Sequence, residues 1–222
     1  MRIVILFLLS TLYTNAQVAN DSVVYKRYLE DQFYLGLSYN FILNHPEGSN
    51  QRNLSYGLQA GIIKDIPLNR TGTKAIGIGV GLALNSYYSN LVADISGETI
   101  SYSINDDITR SKLETRLLEF PLEFRWRNST AEEYKFWRLY GGIKAAYVLG
   151  ARSKYDLGDI SSGFKNTDLN EFQYGLTFSF GYNTFNINAY YSLTELFNGS
   201  ASVNGEVLQY RPLRIGLIFY IL

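Results

Sequence analysis

Residues 74–84 read KAIGIGVGLAL. From Ile76 to Leu84 every even position carries a large apolar side chain, and no odd position carries anything larger than alanine. Strict alternation is the period of a β-strand. A soluble strand sets solvated side chains against its apolar face. This one sets Gly77, Gly79, Gly81 and Ala83 against Ile76, Ile78, Val80, Leu82 and Leu84. Packed inside a soluble barrel, the large side chains would leave water facing a row of bare backbone, which costs chain entropy and gains no solubility. Turned toward lipid, the same strand makes sense. Its small residues then face a narrow lumen and leave room for Arg, Lys, Tyr and Gln from other strands.

The alternation recurs and gives eight predicted strands, at about 33–43, 53–64, 74–88, 113–127, 136–150, 170–182, 185–193 and 209–221. The connections divide in two. After strands two, four and six they are compact, the last a two-residue turn at Asn183-Thr184; after three, five and seven they are long and polar. Short turns at one end and long loops at the other are the signature of an outer-membrane barrel. The expected fold is an all-β, eight-stranded antiparallel transmembrane β-barrel over 33–222, with both termini periplasmic. Eight strands leave space for side chains but no wide channel.

The aromatic residues sort by phase and by end. At the periplasmic ends the lipid-facing positions include Phe33, Trp126, Trp137, Tyr182, Phe185 and Phe219. At the opposite ends they include Tyr39, Tyr56, Tyr88, Tyr147, Tyr174 and Tyr191. Two girdles at two headgroup levels are expected of amphipathic rings.

The first residues, MRIVILFLLSTLYTNAQ, have a basic Arg2, a short apolar run and small residues before Gln17. That is a signal-peptide pattern, with cleavage expected after Ala16. Residues 17–32 then form a short polar periplasmic segment; within it Asp21-Ser22-Val23 has the form of a bacterial O-glycosylation site. After residue 16 no apolar run approaches the ~18 residues of a spanning helix. The chain has no cysteine, which excludes disulfides, thiolate metal sites and a lipidated N-terminal Cys. Its 20 basic and 20 acidic residues form no block or stripe, so no nucleic-acid partner is expected.

Candidate chemistry is sparse. Glu119, Glu123 and Arg125 share the inward phase of strand four, and Arg138 and Lys144 that of strand five. Neighbouring strands let these charges pair across the lumen, so they are expected to be a barrel-interior charge network and not an acid–base pair. His45, the one histidine, stands in the first loop, where some outer-membrane lipid-modifying enzymes place a catalytic histidine. A solvated loop residue is the simpler expectation. The glycines of 77–81 have period two throughout and Leu82 where a dinucleotide loop needs its third glycine. No catalytic residue, cofactor or metal is expected.

Residues 112–155, KLETRLLEFPLEFRWRNSTAEEYKFWRLYGGIKAAYVLGARSKY, resemble the PorT-type outer-membrane β-barrel family. The resemblance centres on Leu118-Glu119-Phe120-Pro121-Leu122, followed by a turn and an aromatic, Gly-rich strand. It implies an outer membrane in bacteria with type IX secretion and gliding, and secretion-system proteins as partners. One departure is the ending Phe219-Tyr220-Ile221-Leu222, where barrel precursors often close on an aromatic residue. The combined expectation is a monomeric, non-enzymatic outer-membrane barrel contacting lipid. A lipid-modifying enzyme and a narrow solute pore are the alternatives.

Overall fold

The computed structural model describes residues 31–97, 99–128, 137–158 and 160–221. The expected signal peptide and most of the periplasmic segment lie outside them. The strands are β1 (Asp31–Leu43), β2 (Tyr56–Pro67), β3 (Lys74–Tyr88), β4 (Leu91–Ser96), β5 (Thr99–Ile104), β6 (Arg110–Arg127) and β7 (Trp137–Leu157). They continue with β8 (Ile160–Lys165), β9 (Phe172–Tyr182), β10 (Phe185–Ser192), β11 (Ser202–Val203), β12 (Glu206–Val207) and β13 (Arg211–Ile221).

Eight of these form the wall, in the order β1, β2, β3, β6, β7, β9, β10, β13, each antiparallel to its neighbour. The wall closes where β1 pairs with β13 from Phe33↔Ile221 to Leu43↔Arg211, so among the described residues the eight-stranded wall has no free edge at the level of the belt. The short-turn end is the periplasmic one.

Two strand boundaries differ from the sequence reading for local reasons. The second strand starts at Tyr56 and not at 53. Asn53 takes a positive φ of 58°, and the Ser55 hydroxyl accepts a hydrogen bond from the Tyr88 backbone N–H at 2.9 Å, so residues 53–55 cap the strand. Its other end runs on to Pro67, which brings Asp65 into the wall. Beyond it the Asn69 side chain bonds to Thr71, Thr73 and the Lys74 N–H, closing a turn with Gly72 at φ 69°.

The long connections carry structure of their own. Within 89–111 lies the β4–β5 hairpin, and β8 continues the sheet by pairing with the outer end of β7. β11 and β12 make a third small ribbon. β6 and β7 therefore run well past the lipid-facing zone. Their ladder has a bulge: Arg116 pairs with Gly150 but Leu117 with Val148, leaving Leu149 as the extra residue.

Large apolar side chains form a belt on the outside of the wall, among them Leu35, Leu37, Ile78, Leu82, Phe120, Leu122, Ile143, Phe178, Ile187 and Leu217, each at least 43% exposed. A continuous apolar belt of that size on an isolated chain is a lipid contact surface. The outward apolar run of β6, Leu118 to Trp126, is nine residues long. A tilted strand needs about that many to cross a bilayer.

Candidate functional site

The lumen is filled in two layers of opposite chemistry. At the periplasmic and middle levels it is charged. The glycine row of β3, with Gly61 of β2 beside it, gives these side chains space: a Cβ at Gly77 would stand 2.7 Å from the Arg125 Cδ, and one at Gly61 2.6 Å from the Tyr34 hydroxyl. At Gly81 an added Cβ would collide with the same hydroxyl. The small residues of KAIGIGVGLAL are thus the floor on which larger side chains from β1 and β6 lie.

Near the periplasmic end Asp65 accepts from two arginines, Arg125 at 2.6 Å and Arg127 at 3.0 Å. Arg125 also reaches Glu123 at 3.2 Å and the Gln32 amide oxygen at 3.1 Å. Its guanidinium lies 4.2 Å from the Tyr140 ring centroid and 4.9 Å from that of Tyr220. Arg138 approaches the other side of this cluster, 5.7 Å from the Tyr220 ring. One level up, Glu119 is fully buried between Lys144 at 3.1 Å and Arg214 at 3.0 Å. Lys144 also donates to Gln59, and Arg214 stacks on Tyr190 at 3.9 Å.

All five charges named from the sequence thus lie buried in the lumen, but in two clusters. Glu123, Arg125 and Arg138 belong to the lower, Glu119 and Lys144 to the upper. Sequence reasoning missed Asp65, Arg127 and Arg214 as members. Asp65 lies just past the predicted end of strand two at 64, yet it continues the odd-numbered inward phase of Ile63. Arg127 extends the inward phase of Glu123 and Arg125 by one step, and Arg214 stands inward opposite Asn40.

In the extracellular half the filling becomes apolar. Ile42, Tyr87, Leu91, Ala93, Tyr102, Leu169, Leu196, Phe197, Ala201, Val203, Leu208 and Tyr210 form a buried cluster that closes the barrel mouth. Phe197 packs edge-on against Tyr102 at 5.4 Å and Tyr210 at 5.6 Å. The few polar groups here are satisfied. The Tyr102 hydroxyl donates to Asp168 at 3.1 Å and accepts from the Asn166 amide at 3.0 Å, and Tyr210 pairs with Ser49 at 2.5 Å. Burial, reinforced by the Asp168 charge, pushes the Tyr102 hydroxyl well above its ordinary range; the Asn166 hydrogen bond opposes this. Two lumen cavities, one under the cap and one beside Arg214, hold about 20 and 10 Å³. Each has room for about one water.

On the outer wall Phe33, Trp126, Trp137, Tyr182 and Phe185 are exposed at the periplasmic end, and Phe219 is half-buried edge-on against Phe185. At the other end Tyr147, Tyr174 and Tyr191 are exposed, and Tyr39 and Tyr56 half-buried. Tyr88 differs. Only 8% exposed, it accepts a hydrogen bond from Arg110 at 2.9 Å, with the Lys112 ammonium 5.7 Å from its ring, and so supports cations above the belt. His45 is exposed in the first loop and meets no carboxylate or hydroxyl partner among the described residues.

Closed wall, apolar belt and filled polar lumen agree with what sequence comparison finds. The family model described as outer membrane protein beta-barrel domain matches residues 15–198. The chain belongs to this family. Membership places this barrel in the outer membrane. None of the curated proteins matches it in sequence. Two solved structures share weak similarity. A double mutant of the Rh. blastica porin is 9% identical, covering 87% of this chain and 100% of its own, at a TM-score of 0.23. A chain described by the words "Asymmetric conductivity of engineered proteins" has the same identity, coverage and TM-score. At that similarity neither neighbour bears on how this outer-membrane barrel works.

Proposed function

We propose that this outer-membrane barrel is a closed, non-enzymatic structural or accessory protein, monomeric as a barrel, exported by cleavage after Ala16. The observation that carries the reading is the double closure of the lumen. Paired charges fill its lower half and an apolar cap fills its mouth, the filling expected of a barrel that passes no solute. Asp65 and Glu119 are each held between two cations and Glu123 against Arg125, which suits structural counterions better than proton transfer. The resemblance of residues 112–155 to the PorT-type family supports a role in type IX secretion or gliding, with secretion-system proteins as partners.

Planar-bilayer recording of the purified protein tests the closure. The expected result is no discrete channel; openings that change with Lys144→Gln would overturn it. Crosslinking and co-purification of the tagged protein from outer membranes in mild detergent tests the accessory role. Secretion components in fixed proportion are expected, and a barrel that purifies alone sinks that role. N-terminal sequencing of the same sample should begin at Gln17.

A further inference from the structure

A second constellation lies outside the lumen, where the lipid-facing belt ends. Along β6 the outward positions Leu118, Phe120, Leu122, Phe124 and Trp126 are apolar, whereas Arg110, Lys112, Glu114 and Arg116 on the same face are charged. β7 changes in the same way, from outward Tyr147 and Leu149 to outward Arg152 and Lys154. The change falls at the bulge, where a groove of about 610 Å³ lies in the outer wall with Leu149 and Gly150 in its lining. Its membrane-side lining is Leu58, Leu84 and Leu149; its solvent-side lining includes Arg116, Arg152 and Lys165.

These three cations are not neutralised. Arg152 and Lys165 stand directly opposite each other across β7 and β8, an arrangement of like charges that costs sheet stability. The carboxylate best placed for Arg152 is Glu114, its cross-strand partner, but Glu114 is engaged by Lys112 at 2.6 Å and Lys154 at 3.0 Å. Arg116, Arg152 and Lys165 are all exposed and make no hydrogen bond or ion pair with a described residue. Two glycines keep the space clear. A Cβ at Gly163 would come within 3.3 Å of the Arg152 guanidinium, and Gly150, paired with Arg116, has nothing within 4 Å of its missing Cβ.

Three unneutralised cations directly above an apolar trough, at the height where the belt ends, have the complement of an amphiphile with an anionic head. We propose that this groove binds a phosphorylated glycolipid of the outer leaflet. Its phosphates would meet Arg116, Arg152 and Lys165, and an acyl chain would lie against Leu58, Leu84 and Leu149. Phosphate recognition by paired guanidinium groups is strong and geometrically specific. A lipid in this place would relieve the Arg152–Lys165 repulsion that the protein alone leaves standing.

The test is native mass spectrometry of the full-length protein, folded in a neutral detergent and titrated with bisphosphorylated lipid A, its monophosphorylated form and inorganic phosphate. Bisphosphorylated lipid A is expected to bind most tightly. R116Q/R152Q/K165Q should weaken it about 100-fold, at roughly fivefold per charge. Lys74→Gln, an outward charge at the periplasmic rim, should leave binding unchanged, and Leu149→Asn should weaken the lipid without affecting phosphate. Folding is checked by heat-shifted gel mobility, and Arg152→Gln alone serves if the triple variant fails to fold. Equal lipid binding by wild type and charge variants would overturn the proposal. So would inorganic phosphate binding as tightly as lipid A with the same dependence on the three residues, since the site would then recognise a free anion.

Discussion

The barrel has two halves that obey opposite rules. At the level of the belt the wall is apolar outside and the lumen holds Asp65, Glu119, Glu123, Arg125, Arg127, Lys144 and Arg214. Above the belt the wall is charged outside, with Arg110, Lys112, Arg116, Arg152 and Lys154, and the lumen holds Leu91, Phe197, Leu208 and Tyr210. β6 shows the inversion within one strand. In RSKLETRLLEFPLEFRWR the charges occupy even positions through Arg116 and odd positions from Glu119 onward, although the strand's inward face stays odd throughout. What changes is the solvent. Where lipid surrounds the wall, polar side chains have only the lumen to enter; where water surrounds it, the ordinary preference for an apolar interior returns. The lower half is thus a membrane barrel and the upper half a small water-soluble β-structure, built on the same strands.

Removing a partner should separate the halves most strongly. Asp65→Ala strands Arg125 and Arg127 together without their shared carboxylate and should cost about 3–5 kcal/mol. The measurement is urea unfolding in lipid vesicles, and a loss under 1 kcal/mol would mean that this pairing does not hold the lower lumen. Leu208→Ala in the cap leaves a cavity worth about 2–5 kcal/mol, but the loss should be local. Extracellular loops should become protease-sensitive while gel mobility of the folded barrel is retained. Cooperative loss of both would show that the halves are one folding unit.

Much of this division was written in the sequence. The alternation of β3 and the phase of Glu119, Glu123, Arg125, Arg138 and Lys144 fixed which face is inside, because a period-two pattern needs no knowledge of partners. Asp65 escaped because the predicted strand stops at 64, three residues short of Pro67, beside a proline and turn residues that resemble a loop. The cap escaped for a different reason. Leu196, Phe197, Ala201, Val203 and Leu208 have no strand-long periodicity, and their core depends on this one connection meeting Leu91 and Tyr102 of the 89–111 connection and Leu169 of the one before β9. Tyr88 has the right phase for a girdle but sits above the level where the phase means lipid. The parity change in β6 was legible, and it marks that level.

A change of pH should act on the upper half by a different route. Burial raises the Tyr102 hydroxyl above its ordinary value near 10, so its hydrogen bonding contributes fully below pH 10. As pH rises past 10 an unfolded cap would lose that proton first, and the contribution fades. Proteolysis of the loops should therefore accelerate above pH 10, and Tyr102→Phe should flatten the rise. A profile that Tyr102→Phe leaves unchanged would assign the loosening to another group.

The smallest effects locate the boundary itself. An arginine on the lipid face costs about 2–4 kcal/mol at mid-membrane and about 0–1 near the interface. If the belt ends between Leu118 and Arg116, Leu122→Arg should carry the first cost and Leu118→Arg only the second, with the side chain lifting its charge toward Arg116. The two variants share a strand, a face and a side chain, so folding context cancels and depth alone is read. Equal costs would put Leu118 deep in lipid and Arg116 with it. The even-numbered charges of β6 would then need a protein neighbour in place of water, and the separation of the barrel into a membrane half and a soluble half would fail at the strand that displays it best.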